Sequence, residues 1–337
     1  MAQLMEKDQV GKRESLADLI ANVESDATPF SSMAHKRKKP NAVVHDWQVK
    51  QYKKKGHRGV PDGQDAKDFG SNDRSRLHSC AQKVWDLPGV SDFSEESEVA
   101  GVAQGEMAEQ VADALVTVKQ TVERRCLSNS DCFLQDSSNP LAANETRGIF
   151  MWGQTTAQTT YAVPEKYRPN SSQVYSGTLA AFKESSLKNL AKAAWKRRMG
   201  NAVSMKFFSG IDLKAAISDF TRYDDTVSNK TCVRCFNTDA EEQAIINCID
   251  RVVFDTGAID LFASAHIITD ADTGEDTLYT HSSGVGVDMD KIGIAWTRMP
   301  RVVKLQYNGG GHKAIVDAIF LLMCDNPTGM FTALINS

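Results

Sequence analysis

Two cysteines, Cys232 and Cys235, are separated by two residues, which is the spacing of paired thiols in zinc sites and redox motifs. Cys248 and His266 follow them and are the nearest further candidates for metal ligands. A structural zinc site usually has a second closely spaced pair, and a redox motif is followed by a helix, but neither feature is found downstream. Residues 231–236 instead have the composition of a strand, in which the two thiols would point to opposite faces. The sequence therefore predicts no metal site and no thiol chemistry at this position.

Three glycines at 309–311, between Asn308 and His312, form the second segment with chemical potential, because glycine-rich loops cradle phosphates. The segment lacks the lysine and the serine or threonine that end a phosphate-binding loop, and it does not lead from a strand into a helix. We interpret it as a hairpin turn. The sequence has no HExxH or GxSxG motif and no paired-acid pattern. We therefore expect no catalytic residue, no metal and no cofactor.

The composition is that of an ordinary globular protein, with 41% hydrophobic and 24% charged residues in a chain of 337. No apolar run is long enough for a transmembrane helix, and the N-terminus lacks the apolar segment of a signal peptide. The seven cysteines are an odd number spread along the chain, which indicates reduced thiols in a cytosolic setting rather than a disulfide scaffold. A net charge of -4 gives no overall attraction to nucleic acid.

The charges are nevertheless separated along the chain. Residues 36–58 contain nine lysines and arginines against one acid, whereas acids dominate residues 62–73 and 92–98. A basic run most often forms a solvated face, and few aromatic residues accompany this one, so a nucleic-acid groove is the weaker interpretation. Segments of opposite sign would attract each other where copies of the chain meet.

Residues 43–50 alternate in polarity and include Trp47, which predicts a strand. A second strand-like run covers 77–85, and the polar, glycine-rich residues 53–73 between the two runs contain almost no apolar side chain. Two strands with such a long connection form an extended arm rather than a tight hairpin. A two-stranded arm cannot bury a core of its own, so we expect it to need a partner surface.

Residues 96–127 predict one long helix, because apolar side chains recur there every three or four residues. Acids crowd its first turns, and Arg124 and Arg125 lie in its last turn, as the helix dipole favours. At 1.5 Å per residue the helix would be about 45 Å long, enough to run across a whole subunit. The predicted buried stripe contains Val111, Leu115, Val118 and Val122.

The remaining elements are shorter. Helices are predicted at 14–23, 179–198 and 212–220. Strands are predicted at 203–208, 251–254, 258–263, 303–307 and 315–324, with Gly257 in the turn of the 251–263 hairpin. Residues 28–30 and Trp47 are predicted to be buried anchors of the arm segments rather than parts of a ligand pocket. The class is α+β, with segregated and mostly antiparallel strands.

Several segments, taken in order, resemble the major head proteins of tailed bacteriophages with the Hong Kong 97-type capsid fold. The opening segments are residues 13–20 (RESLADLI), 27–30 (ATPF) and 45–48 (HDWQ). The closing segments are residues 290–296 (DKIGIAW), Met299-Pro300, the glycine turn at 309–311 and Asn326-Pro327. Residues 128–248 match only in pattern. The order and spacing of the segments carry the resemblance, since no single motif is diagnostic.

The resemblance implies a division of the chain into the parts of that fold. Residues 1–40 would form the N-terminal arm, 41–92 the extended E-loop hairpin, and 93–177 the peripheral domain with its long spine helix. Residues 178–290 would form the axial domain, and 291–337 would supply strands that return to the peripheral domain. This division accounts for both the unsupported arm and the unusually long helix.

The resemblance also implies a function, that of a major capsid protein without catalytic activity. Such a protein self-assembles as pentamers and hexamers into an icosahedral shell around phage double-stranded DNA, and it is built into the virion after assembly in the bacterial cytoplasm. Expected partners are other copies of the chain, a portal, a decoration protein and packaged DNA, which is contacted non-specifically. No contact with a membrane is expected. We also expect a separate scaffolding protein, because no long helical extension precedes the arm. Two alternatives stay open: an encapsulin-like nanocompartment and, with less support, a cytosolic thiol or metal enzyme.

Arms of this fold overlap neighbouring subunits, so the separated charges predict contacts between subunits. Basic residues at the start of the E-loop tip would meet acids of the tip and acids near the spine helix of other copies. The predicted interface residues are Lys53, Lys54, Lys55, Arg58, Asp62, Asp65, Asp68, Glu95, Glu96 and Glu98.

Overall fold

The computed structural model describes residues 27–52, 59, 61–63, 65, 71–97, 102, 105–135, 142–155, 161–198, 204–220, 249–267 and 282–335. The chain divides into two compact units. The smaller unit contains Met1–Ala27, Trp85–Val118 and Pro300–Asp317, and the larger unit contains Thr28–Val84, Lys119–Met299 and Ala318–Ser337. Within the described ranges, no helix has the length and apolar character needed to cross a bilayer.

The chain contains both helices and strands, and most strands follow one another without a helix between them, which confirms the predicted α+β class. The α-helices are α1 (Pro29–Met33), α2 (Asp92–Glu96), α3 (Glu106–Cys126), α4 (Ile149–Trp152), α5 (Glu184–Arg197) and α6 (Ile211–Asp219). The strands are β1 (His35–Arg37), β2 (Val44–Lys50), β3 (Arg74–Cys80), β4 (Gln82–Asp86), β5 (Gly89–Val90), β6 (Val174–Gly177), β7 (Met205–Ser209), β8 (Arg251–Phe254), β9 (Gly257–Ala263), β10 (Gly284–Val287), β11 (Ile292–Lys304), β12 (His312–Cys324) and β13 (Phe331–Ile335).

A six-stranded sheet in the larger unit has the order β6-β13-β10-β7-β9-β8. The β6–β13 and β7–β9 pairs are parallel, and the other pairs of this sheet are antiparallel. Leu187, Leu190 and Ala194 recur at helical spacing on α5 and pack into one core with Phe207 of β7 and Phe331 of β13. The two phenylalanine rings stack with their centroids 5.6 Å apart. Amphipathic spacing on the helix and alternation on the strands therefore build this core.

The predicted arm forms a two-stranded antiparallel ribbon of β2 and β3. Val44 pairs with Cys80 at one end of the ribbon, and Lys50 pairs with Arg74 at the other end. Cys80 is fully buried, whereas Lys50 and Arg74 are exposed. The ribbon is therefore anchored at its Val44–Cys80 end, and residues 51–73 connect the strands at the far end. A separate sheet has the order β1-β11-β12-β4, with β5 beside β12.

In the smaller unit, β5 pairs with the first residues of β12, with Val90 opposite His312 and Gly89 opposite Lys313. Gly311 permits this approach. Its φ of +123° is rarely adopted by other residues, and a Cβ there would overlap the carbonyl oxygen of Val90. Strands β11 and β12 are neighbours in one sheet, and residues 309–311 lie in the connection between them. The interpretation of residues 309–311 as a hairpin turn is therefore confirmed.

The long helix is shorter than the sequence predicted. It begins at Glu106 rather than at residue 96, and its 21 residues give a length of about 32 Å at 1.5 Å per residue. Gly105, directly before it, has a φ of +90°, and this left-handed conformation cannot continue a right-handed helix. The acids upstream form the separate helix α2, which is capped by Ser91 Oγ accepting from the N–H of Ser94.

Two other boundaries differ from prediction. The predicted strand 77–85 is divided at Ala81 into β3 and β4, which lie in different sheets. The predicted helix 179–198 begins as a 3₁₀ turn, and α5 starts only at Glu184 because the buried Phe182 has an extended ψ of 116°. Strand β13 pairs within the six-stranded sheet with β6 and β10. The division of the chain into arm, E-loop, peripheral and axial parts stays a prediction.

Candidate intersubunit interface

The predicted charged interface is described only in part. Asp62 and Asp65, in the connection between β2 and β3, are exposed, as is Glu96 on α2, and Glu95 is half-buried. Lys53, Lys54, Lys55, Arg58, Asp68 and Glu98 lie outside the described residues, as do Cys232, Cys235, Cys248 and the helix predicted at 14–23. The pairing of the basic tip with acids of other copies therefore stays a prediction.

Glu95 has a role within its own chain that the sequence analysis missed. Its Oε2 accepts a hydrogen bond from the backbone N–H of Met107 at 2.8 Å. This contact places a carboxylate at the positive end of the α3 dipole. Gly105 allows the close approach, because a Cβ at this position would lie 2.9 Å from Glu95 Oε1. Two described acids of α2, Glu95 and Glu96, were predicted to contact neighbouring copies. Only Glu96 is exposed.

Helix α3 buries only part of the predicted stripe. Val118 and Val122 are each 1% exposed. Val111 and Leu115 are half-buried, and Ala114 takes the buried position one turn before Val118. The buried line therefore steps by four residues from Ala114, and the expectation of full burial is not met for Val111 and Leu115.

The base of the β2–β3 ribbon is held by hydrogen bonds around the buried Thr146. Its Oγ1 lies 3.2 Å from Ser79 Oγ of β3 and accepts from the N–H of Leu322 of β12 at 3.1 Å. Its carbonyl oxygen accepts from Arg125 Nε of α3 at 2.9 Å, and its N–H donates to Gln82 Oε1 of β4 at 3.2 Å. One residue therefore connects the ribbon to a helix end and two strands. Nothing in the spacing of the sequence marks Thr146 for this role.

Glu123 anchors α1 on α3. Its Oε1 accepts from the N–H of Phe30 and its Oε2 from the N–H of Ser31, both at 2.7 Å. Burial raises the pKa of the Glu123 carboxyl, and the hydrogen bonds from Ser31 and Phe30 oppose this shift. The predicted burial of Phe30 is confirmed, since its side chain is fully enclosed. Sequence patterns do not identify Glu123, because a single acid within a helix is usually exposed.

Several apolar side chains of the smaller unit are exposed. Phe93 on α2 is 89% exposed, and Leu87, Leu305 and Tyr307 are also largely exposed. The Tyr307 hydroxyl donates to Asp92 Oδ2 at 2.6 Å, and this hydrogen bond raises the pKa of the tyrosine. Exposed aromatic and aliphatic groups that belong to one compact unit are typical of surfaces that another protein covers.

The described cysteines, Cys80, Cys126, Cys132 and Cys324, are all buried and form no disulfide. In the part of the chain that the structure describes, no group of histidine, cysteine and acidic side chains could hold a metal ion. Burial raises the pKa of Cys126 and Cys324. These two thiols therefore pack as small apolar groups.

Comparison with known proteins connects this arrangement to a family. The family model described as SU10 major capsid protein matches residues 3–333. A search of curated proteins found no significant match. A solved chain of Mycobacterium phage Bobi has a TM-score of 0.59 and 12% identity, with 100% of both chains covered. The capsid of cyanophage P-SCSP1u has a TM-score of 0.60 and 10% identity, covering 99% of this chain and 97% of that one. The capsid of the native GTA particle has a TM-score of 0.62 and 10% identity, with 98% of each chain covered.

The solved structures show a shared fold at low identity, and the family model covers nearly the whole chain. Both findings confirm the resemblance to phage major head proteins with the Hong Kong 97-type fold, and neither favours the encapsulin-like alternative. The chain belongs to the SU10 major capsid protein family and is a shell-forming structural protein of the bacteriophage virion.

Proposed function

We propose that this capsid protein assembles as pentamers and hexamers into a closed icosahedral shell around double-stranded DNA, with the β2–β3 ribbon reaching onto a neighbouring subunit. The ribbon is the observation that supports this proposal most directly. It consists of two strands only, it is anchored at its base near Thr146, and Asp62 and Asp65 beyond its far end are exposed.

A two-stranded ribbon is marginally stable in water unless another surface packs against it. In a shell built from one chain, a neighbouring copy supplies that surface. Such a contact joins one face of a copy to a different face of the next copy. Copies joined in this way form a closed ring when the rotation from one copy to the next is a whole fraction of a turn. The exposed Phe93, Leu87 and Leu305 of the smaller unit offer apolar area for contacts of the same kind.

The charges at the interface determine register rather than overall affinity. We assign Lys53, Lys54, Lys55 and Arg58 to contacts with acids of neighbouring copies. The acids are Asp62, Asp65, Asp68, Glu96 and Glu98, and Glu95 contributes mainly by capping α3 in its own chain. An exposed ion pair is worth about 0–1 kcal/mol, so the effect arises from repetition over many copies. Screening by salt should weaken it.

The further partners in this proposal are a separate scaffolding protein, a portal and a decoration protein, with assembly in the cytoplasm of the bacterial host. Packaged DNA contacts the shell non-specifically. The chain acts as a structural protein and needs no cofactor. Membership in a phage capsid family supports these roles over storage of a protein cargo.

Removal of the connection at the far end of the β2–β3 ribbon tests the proposal. Residues 53–70 would be replaced by a short glycine-serine linker, which leaves β2, β3 and the contacts of Thr146 in place. We expect a folded chain, measured by circular dichroism, that sediments as small species where the unmodified chain forms large shells. Shells of normal size and yield from the linker variant would contradict the proposed contact of the β2–β3 ribbon with a neighbouring subunit.

A further inference from the structure

A cleft of about 750 Å³ lies within the larger unit, between the ends of β1, β2, α5 and β12. Its lining carries five cationic side chains and one carboxylate, Asp325. The cations are Arg37, Lys50, Arg197, Arg198 and Lys291. They come from four separate stretches of sequence, so folding, and not a local basic run, concentrates this positive charge.

Arg198, at the end of α5, is a half-buried cation of the cleft with two enclosed nitrogens. Its Nη2 donates to the thioether sulfur of Met205 at 3.2 Å, whereas Nε and Nη1 are buried without a hydrogen-bond acceptor among the described residues. Gly329 holds the stem of this side chain, because a Cβ there would lie 2.9 Å from both Cγ and Cδ of Arg198. Burial lowers the pKa of the guanidinium, and the charge of Asp288 partly offsets this effect. The side chain is thus held in place without a carboxylate bound to it.

Two other guanidinium groups also have a buried nitrogen without a hydrogen-bond acceptor. Arg37 donates through Nη2 to Asp325 at 2.7 Å, and Arg197 donates through Nη2 to the carbonyl oxygens of Lys166 and Arg168 at 3.4 and 3.1 Å. The Nε atom of each is buried and has no acceptor in the described part of the chain. Four buried nitrogen atoms, from three arginines of the cleft lining, therefore lack an acceptor among the described residues.

Leaving a charged donor buried and unpaired is costly, and natural proteins rarely keep several such groups together. These nitrogens are enclosed, so an anion in the cleft would contact the parts of the same arginine side chains that line it, and its negative charge would offset their positive charge. We propose that this cleft binds phosphate groups, either of a free polyphosphate or of a nucleic-acid backbone. Arginine forks match the oxygens of phosphate, and five cations against one lining carboxylate favour a ligand with more than one negative charge.

The cleft also has aromatic side chains at its wall. Tyr52 is 76% exposed, with Lys50 Nζ 5.5 Å from its ring centroid, and Tyr167 donates from its hydroxyl to the carbonyl oxygen of Val49 at 3.4 Å. An exposed ring beside a phosphate site can stack on a nucleobase. The volume accommodates a ligand larger than a single phosphate. This inference does not rest on the proposed shell function, and it concerns a site that the interface residues do not include.

The test is calorimetric titration of the purified full-length chain with sodium pyrophosphate at constant ionic strength. A fluorescence titration with a short single-stranded oligodeoxynucleotide is the second arm, and hexaglutamate is the third. The informative variant is Arg198→Gln, and its matched control is Lys192→Gln, which removes one positive charge from an exposed position of the same helix. Lys291→Gln, at an exposed position of the cleft lining, tests the site independently of the buried arginine.

We expect pyrophosphate to bind the unmodified chain, Arg198→Gln to weaken binding by roughly tenfold or more, and Lys192→Gln to leave it unchanged. Lys291→Gln should weaken binding in the same direction, and it decides the question if Arg198→Gln fails to fold. Binding of the oligonucleotide with the same dependence on Arg198 or Lys291 identifies a backbone phosphate as the ligand, and binding of pyrophosphate alone identifies a free phosphate. Absence of pyrophosphate binding, equal losses in variant and control, or tighter binding of hexaglutamate would overturn the proposal.

Discussion

At the scale of single residues, a few buried polar residues connect elements that are far apart in sequence. Glu123 joins α3 to α1, and Thr146 joins the ribbon to the end of α3 and to β12. A hydrogen bond to a charged group contributes about 1.5–3 kcal/mol, and an unsatisfied buried donor costs a comparable amount. Substitutions at these residues should therefore affect folding before they affect assembly.

Glu123→Ala should lower the free energy of unfolding of the unassembled chain by about 2–4 kcal/mol, because one buried and one partly buried backbone N–H group lose their acceptor. Asp113→Ala, at an exposed position of the same helix, is the control and should change stability by less than about 0.5 kcal/mol. Denaturation in urea measures both. Equal stability of the two variants would show that the Glu123 contacts contribute nothing.

The stability contributed by Glu123 should also depend on pH. Burial raises its pKa above the ordinary value of 4.5, so the folded chain holds the proton more tightly than the unfolded chain does. This contribution is fully present below the unfolded pKa and is lost as pH rises through the folded pKa. The advantage of the unmodified chain over Glu123→Gln should therefore shrink from pH 4.5 upward. An advantage that grows with pH over this range would contradict the assignment.

Gly311 should tolerate alanine far less well than its neighbour Gly310. Both have a positive φ, of +123° and +109°, so both substitutions incur backbone strain of about 1–2 kcal/mol. Only at Gly311 would the new Cβ also overlap the backbone of Val90 and Ser91, whereas nothing lies within 4 Å at Gly310. We expect Gly311→Ala to melt at a clearly lower temperature than Gly310→Ala in differential scanning calorimetry. Equal melting temperatures would mean that the β5–β12 approach is not tight.

At the scale of elements, substitutions at two positions of α3 should distinguish effects on folding from effects on assembly. Val118 is enclosed and Leu115 is half-buried, one turn apart on the same helix. Val118→Asp should give an insoluble or unfolded chain, because it buries an unpaired charge. Leu115→Asp should keep a soluble, helical chain with reduced assembly, because a neighbouring copy covers the exposed part of Leu115 in the proposed shell. Soluble yield and circular dichroism distinguish the two, and equal yields would show that the facing of α3 is misassigned.

The charged tip of the ribbon should control assembly without DNA. Replacing Lys53, Lys54 and Lys55 together with glutamate should give defective or aberrant shells, since attraction to neighbouring acids becomes repulsion. The triple glutamine variant is the control for loss of charge alone, and its defect should be intermediate. Sedimentation of empty shells is the measurement. Normal empty shells from the glutamate variant would refute the interface and favour binding of the genome by these lysines.

Elements with a strong local signal were predictable from the sequence, and those fixed by distant contacts were not. The strand β2, the β8–β9 hairpin at Gly257 and the turn at 309–311 follow from alternation and glycine placement. The start of α3 depends on the left-handed conformation of Gly105, which no periodicity reveals. The division at Ala81 arises because β3 pairs with β2 while β4 lies in another sheet.

At the scale of the whole molecule, the fold class and the capsid family were predictable, because ordered segments at both ends of the chain resemble phage head proteins. The cationic cleft was not, since Arg37, Arg198 and Lys291 are far apart in sequence and meet only after folding. The buried contacts of Glu123 and Thr146 were unpredictable for the same reason. Local patterns thus give the elements and the family, and tertiary contacts determine where the polar groups act.

The central claim is that this chain builds a closed shell from pentamers and hexamers of itself. Electron microscopy of the purified chain, expressed with and without a scaffolding protein, tests it most directly. We predict closed particles of uniform diameter whose reconstruction shows five-fold and six-fold capsomers, with each β2–β3 ribbon lying on an adjacent subunit. A homogeneous monomer of 37.0 kDa under all assembly conditions, with an ordered segment at 53–73, would contradict the account.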